Sequence, residues 1–248
     1  MRAKHTLCIA LLDGTGTLSS SLLVYFKLTC SHLILTGFTM RNLLMSAVLV
    51  GASLFGSTAF AQELVEGTNY VTLSSPVPTA QPEKIEATAL FWYGCPHCYQ
   101  LEPTLSTWAP TLPDDVNFVR VPAMFGGIWN LHGQLFYTLD TMQADKKVHD
   151  SIFNAMHNSG RKLATLDEIT SFVVEQGVDK DTFVKTWNSF SVKSKMEKAK
   201  KLALAYQISG VPAIVINGKY RFDIGMAGGL QETVDVADAL IQKERQSK

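Results

Sequence analysis

The chain has 248 residues, of which 46% are hydrophobic and 18% are charged. This composition is typical of globular proteins, and the length is sufficient for one or two compact domains. Four of the 22 basic residues but only one of the 22 acidic residues precede Gln62, so the remainder of the chain is slightly acidic. That charge balance argues against a nucleic-acid-binding function.

The first 61 residues have the pattern of a targeting segment. Arg41 forms a short basic region, an apolar stretch follows from Leu43 to Phe55, and residues 59–61 form a small-x-small cleavage motif. Cleavage after this motif makes Gln62 the first residue of the mature protein. We therefore expect a signal peptide and an exported protein.

Two alternatives concern the same segment. A membrane anchor would run from about Leu18 to Phe38, but Lys27 and His32 interrupt the roughly 20 apolar residues that a membrane span requires. Translation beginning at Met40 would instead remove residues 1–39 from the protein altogether, and both starts remain open.

The cysteines of the mature chain form a single close pair. Cys8 and Cys30 lie in the leader, which leaves Cys95 and Cys98. A disulfide across so short a loop constrains the unfolded chain little, and a domain of this size does not need one to fold. The pair therefore indicates chemistry.

The mature chain begins with the pattern of a strand, a helix and a second strand. Residues 85–93 are rich in apolar and aromatic side chains and predict a buried strand that ends at Gly94. A helix is expected to follow at once. Residues 117–121 predict a second strand, whose near-continuous apolar character favours a central, parallel position. This order is that of a βαβ unit.

A helical segment follows. Apolar residues between 131 and 156 repeat at helical spacing, and Thr165 with Glu168 forms a capping box at the start of another helix. We predict one long helix over Ser191–Ser209, whose five lysines we interpret as a solvated face. The predicted organisation is therefore an all-helical domain inserted in an α/β domain, with boundaries at 62–124, 125–190 and 191–248.

The end of the chain predicts a hairpin and a last helix. Residues 213–216 and 219–223 are short strands joined by Asn217-Gly218, which is the strongest short hairpin signal. Residues 234–241 predict the final helix.

Cys95-Pro96-His97-Cys98 lies where the first strand gives way to a helix. Unpaired N–H groups and the helix dipole stabilise a negative charge on the Cys95 sulfur at that position. Pro96 suits the first helical turn, and His97 adds a positive charge or a donor beside the sulfur. A stable thiolate leaves easily and lowers the energy of the reduced form, so the disulfide becomes strongly oxidising. Cys98, one turn on, is the candidate resolving thiol.

A zinc site is the alternative reading of two cysteines at this spacing. The mature chain has no second cysteine pair, and His132, His149 and His157 have no ligand spacing between any two of them. We expect no metal site and no cofactor, and we interpret these histidines as ordinary surface or core residues.

Gly210-Val211-Pro212 is the second chemical element, directly before the hairpin. The proline could simply separate a helix from a strand. Beside a Cys-x-x-Cys helix, we predict instead a cis Val211–Pro212 peptide that leaves backbone groups free to pair with an extended substrate. Val211 and Pro212 are therefore the candidate substrate-binding residues.

Three segments carry a resemblance to a known family: FWYGCPHCYQLE at 91–102, GVPA at 210–213 and NGKY at 217–220. The chain resembles the DsbA family of periplasmic disulfide-bond oxidases from Glu63 to Lys243. The resemblance implies a thioredoxin fold with an inserted all-helical domain, with Cys95 as the nucleophile and Cys98 as the resolving thiol. It also implies an apolar groove for unfolded polypeptide, and reoxidation by a DsbB-type membrane protein.

Three functions remain open at this point: a disulfide oxidase, an isomerase or reductase that is kept reduced, and a peptide-binding chaperone-like module whose cysteines are incidental. Pro96 and His97 favour the oxidase because they raise oxidising power. No dimerisation domain is evident before Ile85, which also favours the oxidase over an isomerase or reductase. We expect a monomer that acts on reduced exported proteins.

Residue 89 departs from the family pattern. Many relatives carry a buried acid six residues before the nucleophilic cysteine, where this chain has Ala89. Glu86 is expected on the opposite face of the strand because side chains alternate. Glu102, which does match the family pattern, is then the nearby acidic candidate.

Overall fold

The computed structural model describes residues 64–247. The expected signal peptide, its cleavage motif and the alternative start at Met40 lie outside the described residues. None of the helices in the described range is both long and apolar enough to span a bilayer.

The described residues form a five-stranded sheet. The strands are β1 (Val71–Thr72), β2 (Ile85–Phe91), β3 (Val116–Pro122), β4 (Ala213–Ile216) and β5 (Tyr220–Phe222). Their order across the sheet is β1-β5-β4-β2-β3, and only β2 and β3 are parallel. The predicted βαβ unit is therefore present, because β2 connects to β3 through a helix.

The predicted central position of the second strand is wrong. β3 lies at the edge of the sheet and pairs only with β2. Four of its seven residues, Asn117 to Arg120, are only partly buried. The apolar character of β3 reflects packing against the two faces of the strand. Such packing does not require a hydrogen-bonded neighbouring strand at each edge.

Eight α-helices surround the sheet within residues 64–247: α1 (Pro96–Trp108), α2 (Gly127–Thr141), α3 (Asp145–His157), α4 (Leu166–Glu175), α5 (Lys180–Trp187), α6 (Phe190–Ala205), α7 (Ile224–Ala227) and α8 (Leu230–Gln246). Five of them, α2 to α6, lie between β3 and β4 in the chain. The fold is thus mixed α/β with a helical segment inserted in the thioredoxin-like sheet, as predicted.

Alternating side chains of the central strands enter two separate cores. Leu90 and Val215 belong to a cluster formed largely with the inserted helices. Ala89 and Ile214 belong to a second cluster with α1 and α8. Because successive side chains of a strand point to opposite faces, the sheet separates these two apolar layers.

Local capping signals were confirmed, but the length of α6 was not. Thr165 caps α4 through a hydrogen bond from the Glu168 N–H, at 3.2 Å. The predicted helix to Ser209 instead ends at Ala205, because Gln207 adopts a φ of 54° that closes the last turn. The Asn217-Gly218 turn is confirmed between β4 and β5, with both residues at positive φ.

Candidate active site

Cys95 lies at the junction between β2 and α1. It is the N-cap residue of α1, with an extended backbone, and Pro96 occupies the first helical turn. The Cys98 N–H donates a hydrogen bond to the Cys95 sulfur at 3.3 Å. A sulfur in this position satisfies a helix donor that would otherwise lack a partner, and so gains negative charge favourably.

The two cysteines have opposite acidities. A hydrogen bond from the Cys98 thiol lowers the pKa of Cys95 to about 6, against the opposing effect of burial and with help from the backbone N–H groups of Cys98 and His97 and from the His97 side chain. Burial raises the pKa of Cys98 far above its usual range, and the hydrogen bond to Cys95 acts in the same direction. At neutral pH the reduced site therefore holds a Cys95 thiolate beside a Cys98 thiol.

The rest of the motif is accessible from solvent. Pro96 and His97 are exposed, whereas Cys95 and Cys98 retain only 8% and 3% of their surface. His97 Nδ1 lies 3.3 Å from Gln100 Oε1, which holds the imidazole over the first turn.

Val211 and Pro212 lie directly beside the cysteine pair. The Val211–Pro212 peptide is cis, as predicted. The Cys95 sulfur is 3.4 Å from the Val211 carbonyl oxygen, so this peptide lies against the reactive atom. The loop that carries Val211 and Pro212 lines a groove of about 500 Å³ together with His97, Ile224 and Met226. The structure thus brings all six predicted site residues together, although the two segments that carry them, 95–98 and 211–212, are far apart in the chain.

A buried polar cluster beneath the site was only partly anticipated. Glu102 is 5% exposed, and Arg120 forms a hydrogen-bonded ion pair with it. His149 Nε2 lies 3.4 Å from the other Glu102 oxygen, and His149 Nδ1 lies 2.8 Å from the Tyr93 hydroxyl. Burial opposes ionisation of Glu102, but His149 and Arg120 outweigh it and lower the pKa of Glu102 to about 2.

Sequence reasoning missed three members of this cluster. Arg120 in the middle of an apolar strand was the available signal, since a charge there needs a buried partner. Tyr93 and His149 carried no such signal, because their contact joins residues 56 positions apart.

His132 and His157 make structural contacts within the described residues. His132 accepts a hydrogen bond from Trp92 Nε1 at 3.0 Å and lies 3.1 Å from the Leu163 carbonyl oxygen. His157 Nε2 lies 2.8 Å from the Tyr93 carbonyl oxygen. These contacts agree with the interpretation of His132 and His157 as ordinary histidines, whereas His149 belongs to the buried cluster around Glu102.

The two faces of β2 separate Glu86 from residue 89. Ala89 is 2% exposed within the apolar cluster formed with α1 and α8. Glu86 accepts hydrogen bonds from the Ala80 N–H and the Thr88 hydroxyl instead. Glu86 therefore does not replace the missing acid, whereas Glu102 lies one helical turn from Cys98 and acts to raise its pKa.

The sequence and the structure were compared with known proteins, and the matches are to proteins that carry out thiol-disulfide exchange. A model described as a DSBA-like thioredoxin domain matches residues 115–240. The chain is 58% identical over 206 residues to the thiol:disulfide interchange protein DsbA of Pseudomonas aeruginosa, which covers 83% of this chain and 98% of that protein. The chain belongs to the DSBA-like thioredoxin family. It is therefore a thiol-disulfide oxidoreductase.

Other members of the DSBA-like family extend the match. The thiol:disulfide interchange protein DsbA of Azotobacter vinelandii is 56% identical over 214 residues, which cover 84% of this chain and all of that protein. The crystal structure of Pseudomonas aeruginosa DsbA is 59% identical, with a TM-score of 0.71 over 73% of this chain and 94% of that chain. These matches extend across the helical insertion as well as the sheet.

Proposed function

We propose that this oxidoreductase is a periplasmic disulfide oxidase, which donates a Cys95–Cys98 disulfide to folding exported proteins. The observation that carries the proposal is the contrast between Cys95, whose pKa is lowered to about 6, and Cys98, whose pKa is raised. A stabilised thiolate favours the dithiol form of the site over the disulfide form. The disulfide is then readily given to another protein.

The exchange has two steps. A client thiolate attacks the Cys95 sulfur, the Cys95–Cys98 bond breaks, and Cys98 leaves and takes up a proton. A second client thiolate then attacks the client sulfur of the mixed disulfide, and Cys95 leaves as a thiolate. The client loses two electrons and gains a disulfide, while the oxidoreductase is reduced.

The remaining site residues have supporting roles in this proposal. Pro96 shapes the first helical turn, and His97 favours the Cys95 thiolate. Val211 and Pro212 bind the client backbone, because their loop lies against the Cys95 sulfur and lines the 500 Å³ groove.

The cellular setting is part of the same proposal. A signal peptide ending at residue 61 would deliver the mature chain, starting at Gln62, to the periplasm as a monomer. A DsbB-type membrane protein would then reoxidise Cys95 and Cys98. N-terminal sequencing of the exported form tests the first step, and a start before Met40 would contradict it.

The proposed organisation keeps a thioredoxin-like domain in two parts, 62–124 and 191–248, around a helical domain at 125–190. Its support is the position of α2 to α5 between the two parts.

The deciding experiment measures the redox state of Cys95 and Cys98 in periplasmic extract by thiol labelling, alongside their equilibrium with glutathione. An oxidase is mostly oxidised in the extract and is readily reduced by glutathione. A mostly reduced pair would favour the isomerase or reductase. A Cys95→Ser variant that still accelerated client refolding would favour the chaperone-like module.

A further inference from the structure

An exposed aromatic surface adjoins the active site in the described part of the chain. The Trp92 and Trp129 rings are stacked, with centroids 4.1 Å apart and planes at 17°, and the Phe125 ring lies 5.0 Å from Trp129. Phe125 is 43% exposed, and both tryptophans are partly exposed. We refer to Trp92, Phe125 and Trp129 as the aromatic platform.

The platform begins at the residue that leads into the reactive cysteine. The Trp92 carbonyl accepts a hydrogen bond from the Cys95 N–H at 3.0 Å. The indole of Trp92 covers Gly94 so closely that a Cβ atom at residue 94 would lie 2.4 Å from the ring. The ring and the Cys95 sulfur therefore belong to a single short turn.

The orientation of the platform is held by hydrogen bonds. Trp92 Nε1 donates to His132 Nδ1, so His132 must carry its proton on Nε2 and donate it to the Leu163 carbonyl oxygen. Burial lowers the pKa of His132, which favours this neutral form. The polar atom of Trp92 is thus satisfied inside the protein, and the apolar part of the ring remains available.

The chemistry of the platform selects its partner. Residues 123–131 contain no charged residue, so this surface has no fixed charge of its own for a charged ligand. Stacked aromatic rings favour another aromatic ring. Folded proteins seldom expose such rings in quantity, whereas an unfolded polypeptide presents them freely.

We propose that the aromatic platform binds an aromatic side chain of an unfolded client close in sequence to the reacting cysteine. The inference rests on the proposed oxidase function and names the client feature that the site prefers. The platform shares no residue with the groove at Val211 and Pro212, so it adds a contact to that groove. His132 is a positioning residue, because it acts through Trp92.

The test uses two reduced peptides that each contain a cysteine pair and differ only in having Phe or Ser next to the first cysteine. The rate at which each peptide is oxidised by the disulfide form of the full mature protein is measured for the wild type and for each variant. Each rate is then divided by the rate at which the same protein oxidises dithiothreitol, because dithiothreitol has no side chain that could bind the platform. We expect the wild type to show a KM about tenfold lower for the Phe peptide at similar kcat. Trp129→Ala should remove this difference.

Matched controls separate the platform from general hydrophobicity. Phe190 and Leu204 on α6 are 85% and 74% exposed and lie outside the site, so Phe190→Ala and Leu204→Ala should keep the preference for the Phe peptide. His132→Phe should lose the preference, and His132→Gln should restore it, because the amide can replace both hydrogen bonds. The tryptophan fluorescence of the protein should shift in His132→Phe and return in His132→Gln.

The outcomes are distinguishable. A Trp129→Ala protein that retains the full preference, or a wild type without one, overturns the platform proposal while leaving the oxidase intact. Failure to oxidise either peptide or dithiothreitol overturns the oxidase itself. Loss of binding to phospholipid vesicles in Trp129→Ala with peptide preference unchanged would identify a membrane contact and overturn the client assignment.

Discussion

The Cys98 N–H donates to the Cys95 sulfur at 3.3 Å, so the reactive sulfur is also the N-cap acceptor of α1. The arrangement links two properties that are usually separate. The group that closes the first turn of the helix is the group whose charge governs thiol exchange. Changes at Cys98 are therefore expected to alter both the acidity of Cys95 and the course of the reaction.

Cys98→Ala should raise the pKa of Cys95 above its present value of about 6, because the thiol of Cys98 supplies the largest lowering interaction. The backbone N–H of residue 98 remains, so the pKa should stay below the unfolded value of about 8.5. Thiolate absorbance against pH measures the shift. An unchanged pKa would show that the backbone alone stabilises the thiolate.

The same Cys98→Ala variant cannot form the Cys95–Cys98 disulfide. It should instead accumulate mixed disulfides in which the Cys95 thiolate has displaced one sulfur of a client disulfide, because no Cys98 thiol is left to expel the client and release Cys95. Non-reducing gels of cells that express the variant would display them. Cys95→Ala is the control and should trap little. Trapping mainly on Cys98 in the control would reverse the two roles.

The reduced protein should be more stable than the oxidised protein at neutral pH. Cys95 has a folded pKa of about 6 against about 8.5 unfolded, so its stabilisation is complete above the unfolded value and is lost as pH falls through the folded one. At pH 7, one unit above the folded pKa, the difference in unfolding free energy should be about 1.4 kcal/mol.

Denaturation of both redox forms at about pH 5, pH 7 and pH 9 measures this difference. It should be smallest at the lowest pH and largest at the highest. The entropic contribution of the disulfide should be small because the loop is so short. Equal denaturation midpoints for the reduced and oxidised forms at all three pH values would contradict the argument that the Cys95 thiolate stabilises the reduced form.

Arg120→Met should destabilise the fold by roughly 1 to 3 kcal/mol, because the buried Glu102 carboxylate loses its guanidinium partner and keeps only His149 and the Ser106 hydroxyl. Urea denaturation of the double variant Arg120→Met/Glu102→Gln should show a smaller loss than the sum of the single variants. Additive losses would mean that the two side chains do not interact in solution.

Glu102 should also contribute to acid sensitivity. Its pKa is lowered to about 2, so its stabilisation is present above the unfolded value of about 4.3 and is lost as pH falls toward 2. Glu102→Gln should flatten the loss of stability across that interval. If the unfolding free energy of the variant fell with pH as steeply as that of the wild type, the acid sensitivity would belong to other carboxylates.

Ala89→Glu should raise the Cys95 pKa and weaken the oxidant, since a negative charge packed against α1, the helix that Cys95 caps, disfavours the thiolate. Ala89 is 2% exposed in an apolar cluster, so the fold should also lose roughly 1 to 3 kcal/mol. Ala89→Gln is the matched control, with similar size and no charge. Thiolate titration and the glutathione equilibrium should differ between the two variants, and identical results would show that residue 89 does not influence Cys95 through charge.

Local sequence determined the features that neighbouring residues create among themselves. Cys95-Pro96-His97-Cys98 lies at a strand-to-helix junction, and the N-cap geometry follows from residues within one turn. Asn217-Gly218 likewise specifies its hairpin, because both residues tolerate positive φ. Such signals survive in any fold that contains the segment.

Tertiary structure alone decided which distant residues meet. The edge position of β3 depends on strand order, and its apolar pattern reports burial of its faces without reporting its neighbours. The contact of His149 with Tyr93, and the stack of Trp92 on Trp129, join segments that only the packed insertion brings together. Side-chain periodicity describes how one element is buried, and it contains no information about which partner covers it.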